Sequence, residues 1–290
     1  MRRLAGTRKV GHAGTLDPMA TGVLVLGINK ATRLLTYIVG TSKTYTATIR
    51  LGETTITDDA EGEVTEARSA VEVSDQAIAQ GVAALTGPIQ QVPSSVSAIK
   101  VNGERSYARV RSGEEVKLAA RPVTIHRFDI HSITRIDGGR VVDVDVTVEC
   151  SSGTYIRALA RDLGIALGVG GHLTALRRTQ VGPYTIEQAR TLEELAGELE
   201  VLDMSVAARS LMPNRELSDE ETTEISFGRR IAAGPGAGTP AAATAENPAA
   251  AFAPSGELVA LLADTGSFAK PVLVFAPGTG TGTATVGEDK

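Results

Sequence analysis

A single carboxylate stands in a glycine-rich segment near the start of the chain. Residues 11–22 read GHAGTLDPMATG and include one histidine, Asp17 and Pro18. Pro18 disfavours a helical backbone at the residue before it, so Asp17 is predicted to lie extended in a loop. Asp17 is the only acid among residues 1–50, which carry eight Lys and Arg. Such a carboxylate could act as a nucleophile or a base, although an Asp before Pro also forms ordinary turns.

A second group of charged residues follows a regular strand pattern. Residues 140–150 alternate valines with polar residues and predict a half-buried strand. The next residues, 151–164, read SSGTYIRALARDLG and predict a helix that opens after Gly153. Arg157 and Arg161 share one face of this helix, one turn apart. A strand-to-helix junction is a good place for a fixed cation, whereas the plain alternative is that both arginines are surface charges.

Other elements must hold the Asp17 loop in place. Residues 23–26 (VLVL) follow the loop directly and predict a buried strand. Residues 43–51 alternate cleanly and place Tyr45 on the apolar face, where its pattern is that of a core aromatic. Residues 53–75 carry eight acids and one Arg. The acids Asp58, Asp59 and Glu61 lack the spacing of a calcium loop, so we interpret this segment as a solvated surface loop.

Four stretches of the chain resemble motifs of the TruB family of tRNA pseudouridine synthases. They are GHAGTLDPMATGVL (residues 11–24), QVPSSVSAIKVNG (residues 91–103), SSGTYIRALARDLG (residues 151–164) and GGHLTALRRTQVGPY (residues 170–184). They occur in the family's order, and the resemblance runs from about Arg8 to Tyr184. It implies an α+β fold with a mixed, largely antiparallel central sheet flanked by helices, and a small β-rich C-terminal domain of the PUA-like type.

The resemblance also implies roles for individual residues. It makes Asp17 the catalytic nucleophile or base and Arg157 its ion-pair partner. Tyr45 would stack on the target base, with a possible part in proton transfer. The other substrate contacts would be His12, Tyr155 and Leu176. Candidate contacts to the RNA backbone are Arg8, Lys9, Lys100, Arg177 and Arg178. No metal site is implied.

The implied domain organisation has three parts. Residues 1–207 would form the catalytic domain, residues 208–277 a PUA-like RNA-binding region, and residues 278–290 a disordered tail. Residues 232–254 are rich in Ala, Gly and Pro, and we expect a disordered insertion there because such a composition cannot bury a core. Family members usually begin with a further strand and a Lys-Pro-Gly-like turn, to which nothing in this sequence corresponds. Either the natural start lies upstream of Met1 or the protein lacks an edge element of its sheet, and we favour the first hypothesis.

The implied reaction converts the uridine at position 55 in the T-loop of tRNA to pseudouridine. The bond between the sugar and uracil N1 breaks, the uracil turns, and its C5 joins the same sugar carbon. No atoms are gained or lost, so we expect no cofactor and no metal. A pocket strips water from a carboxylate, so a cation such as Arg157 is needed to keep Asp17 charged. The target base must also leave its stack to be reached.

Two other functions fit parts of the pattern. One is an RNA-folding or RNA-binding module in which catalysis is secondary. The other is a different enzyme with an aspartate nucleophile, such as a glycosidase. That enzyme would need a second carboxylate matched to Asp17, and the sequence offers no convincing one.

Composition limits the setting in which the chain works. Its single cysteine, Cys150, suggests a reducing compartment. The net charge is −5, yet the eight bases of residues 1–50 contrast with eleven acids and three bases in residues 187–225, so a basic face can exist. We find no apolar run of membrane-spanning length and no signal peptide. We therefore expect a cytoplasmic protein that binds no membrane. The resemblance implies the T-arm of tRNA as its partner, and we expect the chain to act as a monomer.

Overall fold

The computed structural model describes residues 1–94, 118–234, 238 and 242–275, and the backbone alone of residues 100–101 and 104–105. Its contacts divide the chain into two compact units. The central unit comprises Gly11–Leu26 and Ile38–Thr191. The C-terminal unit comprises Met1–Val10, Gly27–Tyr37 and the described residues from Leu192 onward. This division differs from the boundary expected after residue 207, because the C-terminal unit already begins at Leu192 and also includes two short N-terminal segments.

Strands dominate the chain as far as residue 191. The strands are β1 (Val10–Ala13), β2 (Thr21–Gly22), β3 (Val25–Ile28), β4 (Lys43–Leu51), β5 (Glu53–Thr55), β6 (Val64–Ala67), β7 (Gly87–Gln91), β8 (Lys100–Val101), β9 (Glu104–Arg105), β10 (Arg121–Ile136), β11 (Val141–Cys150), β12 (Gly171–Val181) and β13 (Tyr184–Thr185). The helices are α1 (Leu35–Val39), α2 (Asp75–Ala84) and α3 (Ile156–Ala166), with short 3-10 turns at Asn29–Leu34, Asp137–Gly139 and Ile186–Gln188.

Seven of these strands form one sheet. Its order is β13-β12-β4-β11-β10-β7, and β2 adds to it by pairing with β12. The β2 pairing is parallel and the others are antiparallel. Three two-stranded pairs, β1 with β3, β5 with β6 and β8 with β9, complete the described ladders of this part of the chain. The prediction of a mixed, largely antiparallel central sheet is confirmed.

The alternating sequence of β11 explains why one face of this sheet is a core. The side chains of Val142, Val144, Val146 and Val148 are buried, while the polar residues between them stay partly exposed. Helices α2 and α3 cover the buried face with Ile78, Val82, Leu159 and Leu163. Each fully buried aliphatic side chain contributes about 1.5–3 kcal/mol. This packing fixes α3, and therefore the residues at its N-terminus, against the sheet.

The C-terminal unit is also built around a sheet. Its helices are α4 (Leu192–Gly197), α5 (Met204–Leu211) and α6 (Asp219–Ser226), and its strands are β14 (Asn214–Glu216), β15 (Ile231–Ala232), β16 (Ala249–Phe252), β17 (Leu258–Thr265) and β18 (Phe268–Val274). The five strands pair in the order β14-β16-β17-β18-β15. A small β-rich unit was predicted here, and it is confirmed.

One expectation for the C-terminal unit is wrong in part. Residues 232–254 were expected to be a disordered insertion, yet Ala249–Phe252 forms strand β16. Ala250, Ala251 and Phe252 are fully buried between β14 and β17. Alanines bury little surface by themselves, but their small size suits a central strand covered on both faces. Composition alone therefore failed to predict strand β16, which is ordered because it packs between β14 and β17.

Among the residues that the structure describes, no helix is long and apolar enough to cross a bilayer.

Candidate active site

The loop that carries Asp17 lies between β1 and β2. The N–H of Ala20 donates to the carbonyl of Asp17 at 2.9 Å and closes a four-residue turn with Pro18 in its second position. Gly22 has a φ of 101°, and a Cβ there would collide with the carbonyl oxygen of Arg178 on β12. Glycine suits both the conformation and the close approach. The loop is therefore drawn against β12 directly after the turn that carries Asp17.

Arg157 forms a bidentate ion pair with Asp17. Arg157 lies in the first turn of α3, just after the strand-to-helix junction. Its Nε donates to Asp17 Oδ2 and its Nη2 donates to Asp17 Oδ1, each at 3.0 Å. The side chain of Arg157 is 4% exposed, whereas that of Asp17 is 34% exposed. The guanidinium is thus a buried, fixed partner, and the carboxylate keeps an open side that a substrate can reach.

A second carboxylate holds the far side of the Arg157 guanidinium. Nη1 of Arg157 donates to the carbonyl of Thr57 at 2.9 Å and lies 3.3 Å from Asp59 Oδ2. Asp59 is 2% exposed. Its Oδ1 accepts from Thr57 Oγ1 at 2.6 Å and from the N–H of Glu61 at 3.1 Å. Arg157 therefore bridges two carboxylates, one buried and one accessible.

The interpretation of residues 53–75 as a solvated loop is wrong for Asp58 and Asp59. Asp59 is buried under Arg157, and Asp58 lies 3.4 Å from Arg161 with a left-handed φ of 59°. Burial raises the pKa of the Asp58 carboxyl. The N–H of Leu173 on β12 donates to the Asp58 carbonyl at 3.1 Å and draws this segment inward. The acidic residues of this segment look alike in the sequence, so only their tertiary contacts distinguish Asp58 and Asp59 from the others.

The burial of Asp59 also bears on the glycosidase alternative. Asp59 is the carboxylate that shares Arg157 with Asp17. A glycosidase needs a second carboxyl group that reaches the substrate. Asp59 is enclosed and engaged by donors on both oxygens, so it does not fit that role.

Two tyrosines lie near the ion pair. Tyr45 of β4 is buried, and its burial raises the pKa of the hydroxyl; smaller effects come from Arg178, which lowers it, and Asp17, which raises it. Tyr155 directly precedes α3, and burial is also the main cause of its raised pKa. Both phenols are thus held protonated at neutral pH and can donate hydrogen bonds. Leu176 of β12 is buried in the same apolar cluster as Tyr45.

The side chain of Gln91 fixes the backbone of Tyr155. Gln91 Nε2 donates to the carbonyl of Tyr155 at 3.0 Å, and Gln91 Oε1 accepts from the N–H of Tyr155 at 2.8 Å. Gln91 is buried at the end of edge strand β7. The amide group pairs with both backbone polar groups of one residue, as a neighbouring strand would. It thereby sets the point at which α3 begins, two residues before Arg157.

The remaining substrate and RNA candidates lie on different parts of the chain. His12 on β1 is exposed, and Arg177 on β12 is exposed with Nη1 donating to Thr21 Oγ1 at 3.1 Å. Arg8 and Lys9 are exposed and belong to the C-terminal unit. The side chain of Lys100 lies outside the described residues.

The prediction that Arg178 contacts the RNA backbone does not fit the structure. Arg178 is 1% exposed. Its guanidinium donates to the backbone carbonyls of Gly14, Thr15 and Val23. The alternation of β12 accounts for the difference, because adjacent residues Arg177 and Arg178 point to opposite faces of the sheet. No rule of composition says which of two neighbouring arginines faces inward.

Within the described part of the chain, no group of three or more His, Cys, Asp or Glu residues is arranged to hold a metal ion.

Comparison with known proteins identifies the family. Residues 2–156 match the family model described as the N-terminal domain of the TruB family pseudouridylate synthases. The chain belongs to the TruB family. Residues 157–215 match the C-terminal domain of tRNA pseudouridylate synthase B, and residues 212–276 match the C-terminal region of tRNA pseudouridine synthase II. TruB enzymes isomerise a tRNA uridine to pseudouridine, so the predicted family and enzyme class are confirmed.

Relatives of known name agree over nearly the full length. The chain is 92% identical to tRNA pseudouridine synthase B of Paenarthrobacter aurescens (strain TC1) over 279 residues, which cover 96% of this chain and 90% of that protein. It is 55% identical to tRNA pseudouridine synthase B of Thermobifida fusca (strain YX), over 95% of this chain and 92% of that protein.

Solved structures share the fold. A chain in the crystal structure of a Cbf5-Nop10-Gar1 complex is 26% identical with a TM-score of 0.65, over 92% of this chain and 73% of that chain. A chain in an H/ACA RNP bound to a substrate RNA containing 2′-deoxyuridine is 25% identical with a TM-score of 0.66, over 95% of this chain and 79% of that chain. The predicted α+β class is confirmed by this likeness.

Proposed function

We propose that this TruB family member converts the uridine at position 55 in the T-loop of tRNA to pseudouridine, with Asp17 as the catalytic carboxylate. The observation that carries the proposal is the bidentate ion pair between Asp17 and Arg157. The buried guanidinium pairs with the carboxylate and holds it in place, while the exposed side of Asp17 leaves room for a nucleotide. An ionised, positioned carboxylate is what this rearrangement requires.

The chemistry of the rearrangement balances within the nucleotide and water. The C1′–N1 bond breaks, the detached uracil turns, and a bond forms between C5 and C1′. The hydrogen of C5 is lost to solvent, and N1 takes up a proton. Asp17 acts either by attacking the substrate or by removing a sugar proton. Both routes require an anionic oxygen held beside the sugar, and Arg157 supplies that constraint.

The target uridine has to be flipped out of its stack before it reaches Asp17. Unstacking costs a few kcal/mol, and stacking on an aromatic ring returns about 1–3 kcal/mol per base. We assign this contact to Tyr45, whose protonated hydroxyl can also take part in proton transfer. Tyr155 and Leu176 are proposed as the further walls of the base pocket.

Recognition of the T-arm is proposed to rest on shape and on the phosphate backbone. Exposed basic residues are suited to phosphate contacts, which add affinity without reading sequence. The proposed contacts are Arg8, Lys9, Lys100 and Arg177. His12 is proposed to contact the RNA near the position that the flipped base vacates. A compact T-arm presents 2′-hydroxyls and phosphates that such contacts can follow.

The C-terminal unit is proposed to be a PUA-like RNA-binding region. Its five-stranded sheet and its match to the C-terminal models of the family support this assignment. We propose that the chain acts as a monomer, because Asp17, Arg157 and both tyrosines come from one chain, and that it works in the cytoplasm.

The replacement Asp17→Asn tests the proposed function. It keeps the size of the side chain and removes its negative charge. Release of the C5 hydrogen from labelled, unmodified tRNA should fall about 10⁴-fold, the order expected when a catalytic group is lost. Binding of tRNA should persist. The control is Asp129→Asn, which alters a partly exposed aspartate of β10 that pairs with Arg127.

Two outcomes would count against the assignment. Undiminished hydrogen release in the Asp17→Asn protein would remove Asp17 from the chemistry. Loss of tRNA binding with intact chemistry on the bound fraction would assign Asp17 to binding and not to catalysis.

A further inference from the structure

Arg178 is a buried cation without an acidic partner in the described structure. It is 1% exposed and is among the largest fully buried side chains. Within the described residues, no carboxylate lies within ion-pair distance of its guanidinium. Burying a charge is costly unless hydrogen bonds compensate for the lost water. The groups that surround Arg178 therefore indicate why a cation is kept there.

Those groups belong to both arms of the Asp17 loop. Arg178 Nη2 donates to the Gly14 carbonyl at 3.1 Å and Nη1 to the Thr15 carbonyl at 3.3 Å, on the arm before Asp17. Arg178 Nε donates to the Val23 carbonyl at 2.8 Å, on the arm after it. The backbone carbonyl of Arg178 also accepts from the N–H of Val23 at 2.8 Å.

We propose that Arg178 is a positioning residue that fastens both arms of the Asp17 loop to strand β12, so that the carboxylate meets Arg157 and the nucleotide in the reactive geometry. The inference rests on the proposed role of Asp17. The hydrogen bonds described for the Asp17 carboxylate come from Arg157 alone. Because α3 fixes Arg157, the loop must be placed from its other side.

The planar guanidinium suits this task better than another cation would. Its donors diverge in one plane and reach three carbonyls on two chain segments at once. An ammonium group in the same place would keep the charge but not this fork. The guanidinium also lies close enough to Tyr45 to affect its hydroxyl, so a displaced Arg178 would disturb the base contact as well.

The test compares Arg178→Met and Arg178→Lys with two other arginine variants. For each folded protein, the single-turnover rate of C5 hydrogen release at saturating tRNA and the Kd for tRNA are measured. Arg178→Met should slow the chemical step about 100-fold, as expected for a displacement of about 1 Å at a reacting group. The Kd should stay within about twofold because a buried side chain has no RNA contact to lose. The rate of the Arg178→Lys protein should fall between those of the Arg178→Met protein and the unaltered protein.

Arg50→Met is the matched control for a purely structural arginine. Arg50 lies on the neighbouring strand β4 and pairs with Asp143, with Nε to Oδ1 at 2.8 Å. Its loss should lower the melting temperature without slowing hydrogen release by the folded protein. Arg177→Met, which changes the exposed neighbour, should instead raise the Kd for tRNA.

Several results would overturn the proposal. A normal single-turnover rate in folded Arg178→Met would do so, even if the protein were less stable, and so would a raised Kd with a normal rate. If neither Arg178 variant folds, hydrogen exchange on the unaltered protein decides. The amides of Ala20 and Val23 should exchange as slowly as those of β12, and fast exchange there would show that the Asp17 loop is not fastened to β12. Activity in Asp17→Asn would refute the proposed function separately from these results.

Discussion

The replacement Asp59→Asn is the sharpest test of how the Arg157 guanidinium is held. The variant keeps an oxygen that can accept from Thr57 Oγ1 and the N–H of Glu61, but it removes the buried negative charge 3.3 Å from Arg157 Nη1. Removing one partner of a buried pair typically costs about 3–5 kcal/mol. We expect a value near the lower end, about 3 kcal/mol, because Asp17 still neutralises Arg157 from the other side.

This cost predicts both a stability change and a rate change. For a unit of 150–250 residues, about 3 kcal/mol lowers the melting temperature by about 6–12 °C. The amide now offers Arg157 a weaker partner, so the guanidinium moves toward Asp17 and the carboxylate is no longer held in place. We expect single-turnover release of the C5 hydrogen to slow by about 10-fold to 100-fold at 25 °C, where the variant remains folded.

The assay pairs differential scanning fluorimetry with single-turnover hydrogen release at saturating tRNA. Asp58→Asn is the matched control, because it removes a neighbouring charge whose ion-pair partner is Arg161. Asn also tolerates the left-handed backbone at that position. A lowered melting temperature with an unchanged rate would show that Asp59 only stabilises the fold. An equal loss of rate in Asp58→Asn would show that acidity of the segment matters, and not the contact with Arg157.

Two further predictions concern groups around the site. Gln91→Leu leaves the N–H of Tyr155 without its partner at a cost of about 1–3 kcal/mol, while the carbonyl of Tyr155 keeps its helical hydrogen bond from the N–H of Leu159. The melting temperature and the hydrogen-release rate should both fall, whereas the exposed neighbour variant Gln90→Leu should change neither. An unaffected rate in Gln91→Leu would refute the positioning role. Burial lowers the pKa of Lys43 to about 8, and the unfolded chain keeps this proton to about pH 10.4. The unfolded state therefore binds more protons between these values, so this residue makes folding more favourable as the pH rises from about 8 to about 10.4. The melting temperature of the unaltered protein should therefore rise relative to that of Lys43→Met across this pH range. A constant difference between the two melting temperatures would contradict the assignment.

Part of the fold was predictable because two adjacent strands of the central sheet, β4 and β11, alternate between buried residues and more exposed ones. The valine alternation of β11 predicted a strand that the structure places in the middle of the sheet. The helix after Gly153 was also predicted, and with it the position of Arg157 at a helix start. Strand β16 was missed because its alanines carry no periodic signal, and its burial depends on the strands at both sides.

The candidate site, like the fold, was predictable where it depends on local sequence pattern and unpredictable where it depends on tertiary contacts. The sequence by itself determined the motifs, the family they resemble, and the two residues, Asp17 and Arg157, that the structure brings together. Only the tertiary structure decided that Asp59 lies buried behind Arg157 and that Arg178 faces inward while Arg177 faces solvent. The physical reason is that charge and spacing are properties of one segment, whereas burial depends on which other segments pack against it.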